Sequence, residues 1–434
     1  MNSKEFARRR RQLMRMVGHG GIAILPSAPV RMRSRDVEYR FRQDSDFYYL
    51  TGFAEPDAVA VLAPGRDNGE YLLFCRERDP DKELWDGRRA GQDGAVRDHD
   101  ADDAFPIDDI DDILPGIMES CSRVYYTMGL YSEFDSRIAD WINSLRSRES
   151  RGVHTPQEFV ALDHLLHDMR LYKSRAEISA MRKSAGVAVN AHVRAMQAVR
   201  PGIYEYEVEA EFVSEFRRNN AWLSYSPIVG SGANSCTLHY VENKDRLADG
   251  DLLLIDAGCE LDYYASDITR TIPVSGKFSP EQRAVYEIVL EAQLAAIEKT
   301  RTDSHWNEPH DAAVKIVTRG LKKIGLLDGT LSRLIKDGAY REYFMHRTGH
   351  WLGMDVHDVG DYKVGDEWRL LEPGMVTTVE PGIYIPASRK VPARWHNIGI
   401  RIEDDVAVTN NGPDVLSKGL VKDPDEIESL MQSG

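Results

Sequence analysis

The sequence is short of several things, and each shortage narrows what the chain does. Cysteine is scarce: Cys75, Cys121, Cys236 and Cys259 stand far apart, with no CxxC pair among them. That spacing argues against a disulfide framework or a thiolate zinc site and fits buried thiols in a reducing compartment, so a cytoplasmic location is expected. No uncharged apolar run of about 18 residues occurs, so no membrane span is expected. The stretch from Met1 to Met16 has neither an apolar core segment nor a small-residue cleavage site and does not read as a signal peptide. Basic residues are outnumbered, giving a formal net charge of −15. Binding to nucleic acid rests on neutralising phosphates, so the balance argues against that partner. Low-complexity tracts and strong internal repeats are also missing.

What is present is an ordinary globular composition over 434 residues, which predicts two domains. The N-terminal domain is expected over 1–168 as an α/β layer, with Gly21–Leu25, Ala58–Leu62 and Tyr71–Phe74 as buried strands. Arg8, Arg9, Arg10 and Arg11 are expected on the polar side of a first helix, with Phe6, Leu13 and Met14 facing in. The acidic run from Asp98 to Asp112 carries Ile107, Ile110, Ile113 and Leu114 and predicts a helix with one apolar stripe and a solvated acidic face. The second domain, 169–434, opens on the capping box Ser174–Glu177 and a long helix. Helices followed by antiparallel strands then predict an α+β fold.

The chemistry lies in the second domain. Asp256 closes the apolar run Leu252-Leu-Leu-Ile, where a carboxylate costs several kcal/mol (roughly 2–7) to bury unless something meets it. Asp267 follows eleven residues on, and a hairpin would return it to the side of Asp256. Two such carboxylates repel, so their pairing points to a cation between them. Glu380 closes a second apolar run before Pro381-Gly382. In Gly399-Ile-Arg-Ile-Glu403, period-two alternation sets Arg401 and Glu403 on one face. Asp404 and Asp405 are read as turn residues. His346 and His350 have the spacing of a zinc-protease helix, but Arg347 stands where that motif needs Glu and Gly349 weakens a helix. His350 is thus the nitrogen ligand, and His239, His346 and His357 become groups around the substrate. Four carboxylates, one imidazole and no thiolate favour hard divalent ions, Mn²⁺ first, with Co²⁺ or Zn²⁺ able to substitute. Two such ions bridged by a hydroxide suit amide hydrolysis, with Glu380 as general base and His239 and His357 polarising the carbonyl.

At these residues the chain resembles the pita-bread metallopeptidases, a family that includes methionine aminopeptidase, prolidase, creatinase and the aminopeptidase P group, and it is most similar to the last. The similarity runs through Tyr39–Phe47, Trp85–Arg89, Ile228–Asn234, Ile255–Glu260, Asp267–Thr271, His350–Gly360, Val379–Gly382 and Gly399–Asp404. It implies a C-terminal pita-bread catalytic domain and release of the residue that precedes a proline. It also implies metal ligands at Asp256, Asp267, His350, Glu380 and Glu403, substrate contacts at His239, His346 and His357, and a polar network of Arg401, Tyr384 and Asp36. By the same resemblance Trp85 reaches a neighbouring subunit's site in a homotetramer, and the N-terminal domain serves oligomerisation and substrate access. Arg347 departs from the family pattern and adds a cation that bears on peptide length or C-terminal charge. An Xaa-Pro dipeptidase and a non-catalytic binding domain are the alternatives.

Overall fold

The computed structural model describes residues 1–119 and 121–432. It divides into two compact units, Met1–Met169 and Arg170–Gly434.

The first unit is built on a mixed six-stranded sheet, ordered Asp103–Pro106, Tyr71–Cys75, Val59–Leu62, Gly21–Pro26, Arg123–Tyr125, Glu158–Val160. Gly21–Pro26 runs antiparallel to Val59–Leu62 and parallel to Arg123–Tyr125. Its central strands are unbroken apolar runs that join Leu114, Ile138 and Trp141 in one core, as strands covered on both faces require. One expectation fails here. Arg9 and Arg10 are buried, not on the polar side: they donate to the carbonyls of Tyr49 and Leu50, both at 2.9 Å. Those carbonyls belong to the helix Ser45–Thr51, whose last turn leaves acceptors unpaired within the helix. The acidic run is helical where its isoleucines fall, over Ile110–Met118 with Ile110 and Leu114 buried and Asp111 and Asp112 exposed, while Asp103–Pro106 before it is a strand on the edge of the sheet, paired with Tyr71–Cys75.

The second unit opens as expected. Ser174 accepts from the Glu177 amide, Glu177 reaches back, and the helix Arg175–Ala198 follows. Its face of Ala188, Ala191 and Ala195 is fully buried in the main core, and small side chains there allow close backbone approach. Helices Glu205–Arg218, Pro280–Lys299 and Glu308–Lys323 add to the same core. The antiparallel strands lie in short groups: Ile228–Ser231, Leu252–Asp256 and Thr269–Pro273; Val376–Val379, Asp404–Thr409 and Gly412–Val415; and the pair Gly382–Ile385 with Ile398–Arg401. Among the described residues no helix is long and apolar enough to cross a membrane.

Candidate active site

Strand ends place the acidic side chains. Asp256 is the last residue of its strand, in register with Thr269 on one side and Ile228 on the other. The chain then crosses itself: a Cβ on Gly258 would stand 1.8 Å from the Ser266 carbonyl oxygen, so only glycine fits. A hairpin of Cys259–Leu261 and Tyr264–Ala265, turning at Asp262 and Tyr263 with φ of 51° and 67°, delivers Asp267. The Tyr225 hydroxyl lies 2.5 Å from Asp256 Oδ1 and 2.6 Å from Asp267 Oδ1, so the two carboxylates do face one another. Asp267 is fixed from behind, its amide donating to Asp405.

His350 is held by its neighbours. Its amide donates to Thr378 Oγ1 at 3.1 Å and its Nδ1 to the Trp351 carbonyl at 3.0 Å. Nε2 is thereby aimed at Asp267 Oδ2, 3.3 Å away, and Glu380 Oε1, 3.8 Å away. The close approach again requires glycine: a Cβ on Gly349 would lie 2.1 Å from the Thr378 carbonyl oxygen. Glu380 follows Val376–Val379, its amide donating to the Thr348 carbonyl. Glu403 lies between the strands Ile398–Arg401 and Asp404–Thr409, and its Oε2 accepts from Thr269 Oγ1 at 2.6 Å. Arg401 donates to Asp256 Oδ2 at 2.6 Å and to the Tyr384 hydroxyl at 3.0 Å, and that hydroxyl also meets His346 Nε2 at 2.9 Å.

The electrostatics describe a site with too much negative charge for its size. Burial, then the neighbouring Asp267 and Glu380, pushes the Glu403 carboxyl well above its ordinary range. Burial lifts Glu380 to about 7 and Asp256 to about 6, against the pull of His350 and Arg401 on the first and of Arg401 on the second. Burial alone would lower the His350 imidazole, but its bond to Asp267 and the charge of Glu380 raise it to about 9. The cluster therefore demands positive charge. Asp267, His350 and Glu403 each offer a ligand atom within 4.8 Å of the other two, and this all-oxygen-and-imidazole set suits a hard divalent cation.

Asp256, Asp267, His350, Glu380 and Glu403 line one cleft of about 540 Å³, together with His239, His346, Arg347, His357 and Arg401. The His357 ring packs edge-on against His350, with centroids 4.3 Å apart. Tyr384 is fully buried behind Arg401. Asp36 and Trp85 belong to the first unit: Asp36 sits in the exposed turn between Met32–Ser34 and Val37–Glu38, and Trp85 is 85% exposed on the helix Pro80–Asp86.

The expected turn at Asp404 and Asp405 is wrong. Both open the strand Asp404–Thr409 and are buried. Asp404 is matched by Arg270 at 2.8 Å and Lys422 at 2.7 Å, and Asp405 by the Asp267 amide. Three successive buried carboxylates, Glu403 to Asp405, between Ile402 and Val406 were the available signal. Sequence reading also passed over Tyr225, which has no periodic context, and Thr269, which period two places on the side of Asp267.

A model of metallopeptidase family M24 matches residues 179–410, and one of the aminopeptidase P N-terminal domain matches 6–125. The chain belongs to metallopeptidase family M24. Its second unit is the pita-bread domain of that family, preceded by the N-terminal domain. Among M24 relatives, the Xaa-Pro aminopeptidase of Escherichia coli is 44% identical over 433 residues, covering 99% of this chain and 98% of the relative. Human Xaa-Pro aminopeptidase 3 is 35% identical, covering 99% of this chain and 86% of its own length. The solved structure of Pseudomonas aeruginosa aminopeptidase PepP superposes with a TM-score of 0.99 at 58% identity, covering 100% of this chain and 98% of its own.

Proposed function

We propose that the chain is an Xaa-Pro aminopeptidase, hydrolysing the bond between an N-terminal residue and a following proline in a peptide. The observation that carries this reading is the convergence of four carboxylates and His350 on one cleft, in a chain of family M24 whose relatives bear that name. Asp256, Asp267, His350, Glu380 and Glu403 would hold two divalent cations, with Mn²⁺ the expected pair and Co²⁺ or Zn²⁺ as substitutes. When bound, such ions act as Lewis acids and bring the pKa of water down to about 7.

The side chains supply the rest. Glu380, whose carboxyl burial has lifted toward neutrality, collects the proton of the attacking water. His239 and His357 line the cleft and donate to the scissile carbonyl oxygen as charge develops there. Arg401 and Tyr384 hold Asp256 and His346 in place. A proline ring presents fixed φ and no N–H, which suits an apolar wall such as the cleft's Leu238 and Trp306. The first unit serves assembly and access. Its bare Trp85 indole would fill a neighbouring copy's cleft in a homotetramer, and light scattering on the parent and on Trp85→Ala examines that assembly.

The decisive measurement is product release from Xaa-Pro-Yaa tripeptides with added Mn²⁺, with and without chelator. Free Xaa is expected, and chelator should abolish it. Turnover confined to Xaa-Pro dipeptides would make the protein a prolidase, and no turnover with any divalent ion would leave a binding domain.

A further inference from the structure

Arg347 is an exposed arginine on the lining of the cleft. It is held in place twice: its Nη2 donates to Asn307 Oδ1 at 2.5 Å, and its guanidinium carbon stands 5.0 Å from the centre of the Trp368 ring. The Lys363 ammonium lies 4.8 Å from the same ring. The other strong cation of the cleft, Arg401, is matched by Asp256, whereas Arg347 has no carboxylate within 4.0 Å among the described residues. Asp311, the first acid to act on it from farther off, is occupied by Asn307 Nδ2 at 2.6 Å. One cleft thus combines a carboxylate cluster with an oriented, unmatched guanidinium beside an aromatic wall of Trp306, Tyr362 and Trp368.

We propose that Arg347 binds a carboxylate carried by the part of the substrate beyond the proline, and in short peptides the C-terminal carboxylate itself. The inference rests on the aminopeptidase reading above. A free peptide is positive at one end and negative at the other. A fixed cation on the cleft's lining favours the negative end there, so it orients the chain as well as gripping it. A guanidinium already held by Asn307 and Trp368 loses little freedom on making the bond.

The test compares kcat/KM for Xaa-Pro-Yaa acids and their C-terminal amides, with neutral Yaa, in the Mn²⁺-loaded full chain. The parent is expected to favour the acid about fivefold at low salt through KM, with the preference shrinking as salt rises. In Arg347→Ala the acid-to-amide ratio should fall to about one, and Arg347→Lys should restore part of it. A second pair, amidated peptides with Glu or Gln as Yaa, separates the sources: discrimination there assigns the carboxylate to a side chain. Cleavage without discrimination in either pair, or full discrimination retained by Arg347→Ala, overturns this inference alone. No cleavage of any peptide overturns the aminopeptidase reading with it.

Discussion

Tyr225 shows how much of the site rests on residues that are not ligands. One hydroxyl spans Asp256 and Asp267, and groups that orient ligands commonly matter by 10–100-fold in metal affinity or rate. Tyr225→Phe should therefore cut kcat or raise the Mn²⁺ needed for half-activity by about that factor, as metal titration of the rate would reveal. Glu403→Ala is the harsher change. It should reduce turnover by at least about 10³-fold while leaving the circular-dichroism spectrum that of the parent, and a variant as active as the parent would remove Glu403 from the site. His192 offers a pH signature unrelated to catalysis. It is fully buried, its Nε2 donates to the Ala257 carbonyl, and burial drags its pKa down to about 3. An unfolded histidine titrates near 6.5, so between those limits the unfolded chain binds the extra proton. Stability is thus whole above pH of about 6.5 and declines by roughly 4 kcal/mol as pH falls toward 3. His192→Gln, which keeps a donor, should flatten that part of a denaturation-versus-pH curve.

Among the elements, the segment from Trp351 to Asp358 is locked at several points. Asp358 is buried between Arg170 and Lys173, at 2.5 and 2.9 Å, and its amide donates to the Trp351 carbonyl. A Cβ on Gly353 would stand 2.1 Å from Asp358 Oδ2. This lock fixes the backbone between His350 and His357. Asp358→Ala would take the carboxylate from the buried Lys173 and leave Arg170 to Asp355 at 2.6 Å, at an expected cost of about 3–5 kcal/mol in urea unfolding. Local signals of this kind differ in legibility. The capping box at Ser174 could be read because it acts within four residues, whereas the partners of Asp358 lie more than 180 positions away. Arg9 and Arg10 misled for the same reason: the carbonyls that satisfy them are 40 residues distant.

On the scale of the whole molecule, the cleft could be read because carboxylates at the ends of apolar runs conflict with burial, and four such conflicts had one resolution. Its supports could not, since Thr269 and Arg270 look like ordinary strand residues until the tertiary fold pairs them. The two-unit layout was visible from length and from the change of pattern near Ser174, but the role proposed for Trp85 has no signal in its own composition. The crowded charge also sets a linkage. Cations that bind only the folded chain stabilise it by about 2.7 kcal/mol at a hundred times their Kd. Adding Mn²⁺ should accordingly raise the melting temperature, and chelator should lower it. A melting point indifferent to both would contradict the metal assignment.

Asp256 and Asp267 are eleven residues apart and meet across a hairpin, whereas His350, Glu380 and Glu403 join from over eighty residues further along. Closing a short loop is faster than closing a long one. Two of the five expected donors therefore meet across a short loop, while the other three depend on closures of more than eighty residues.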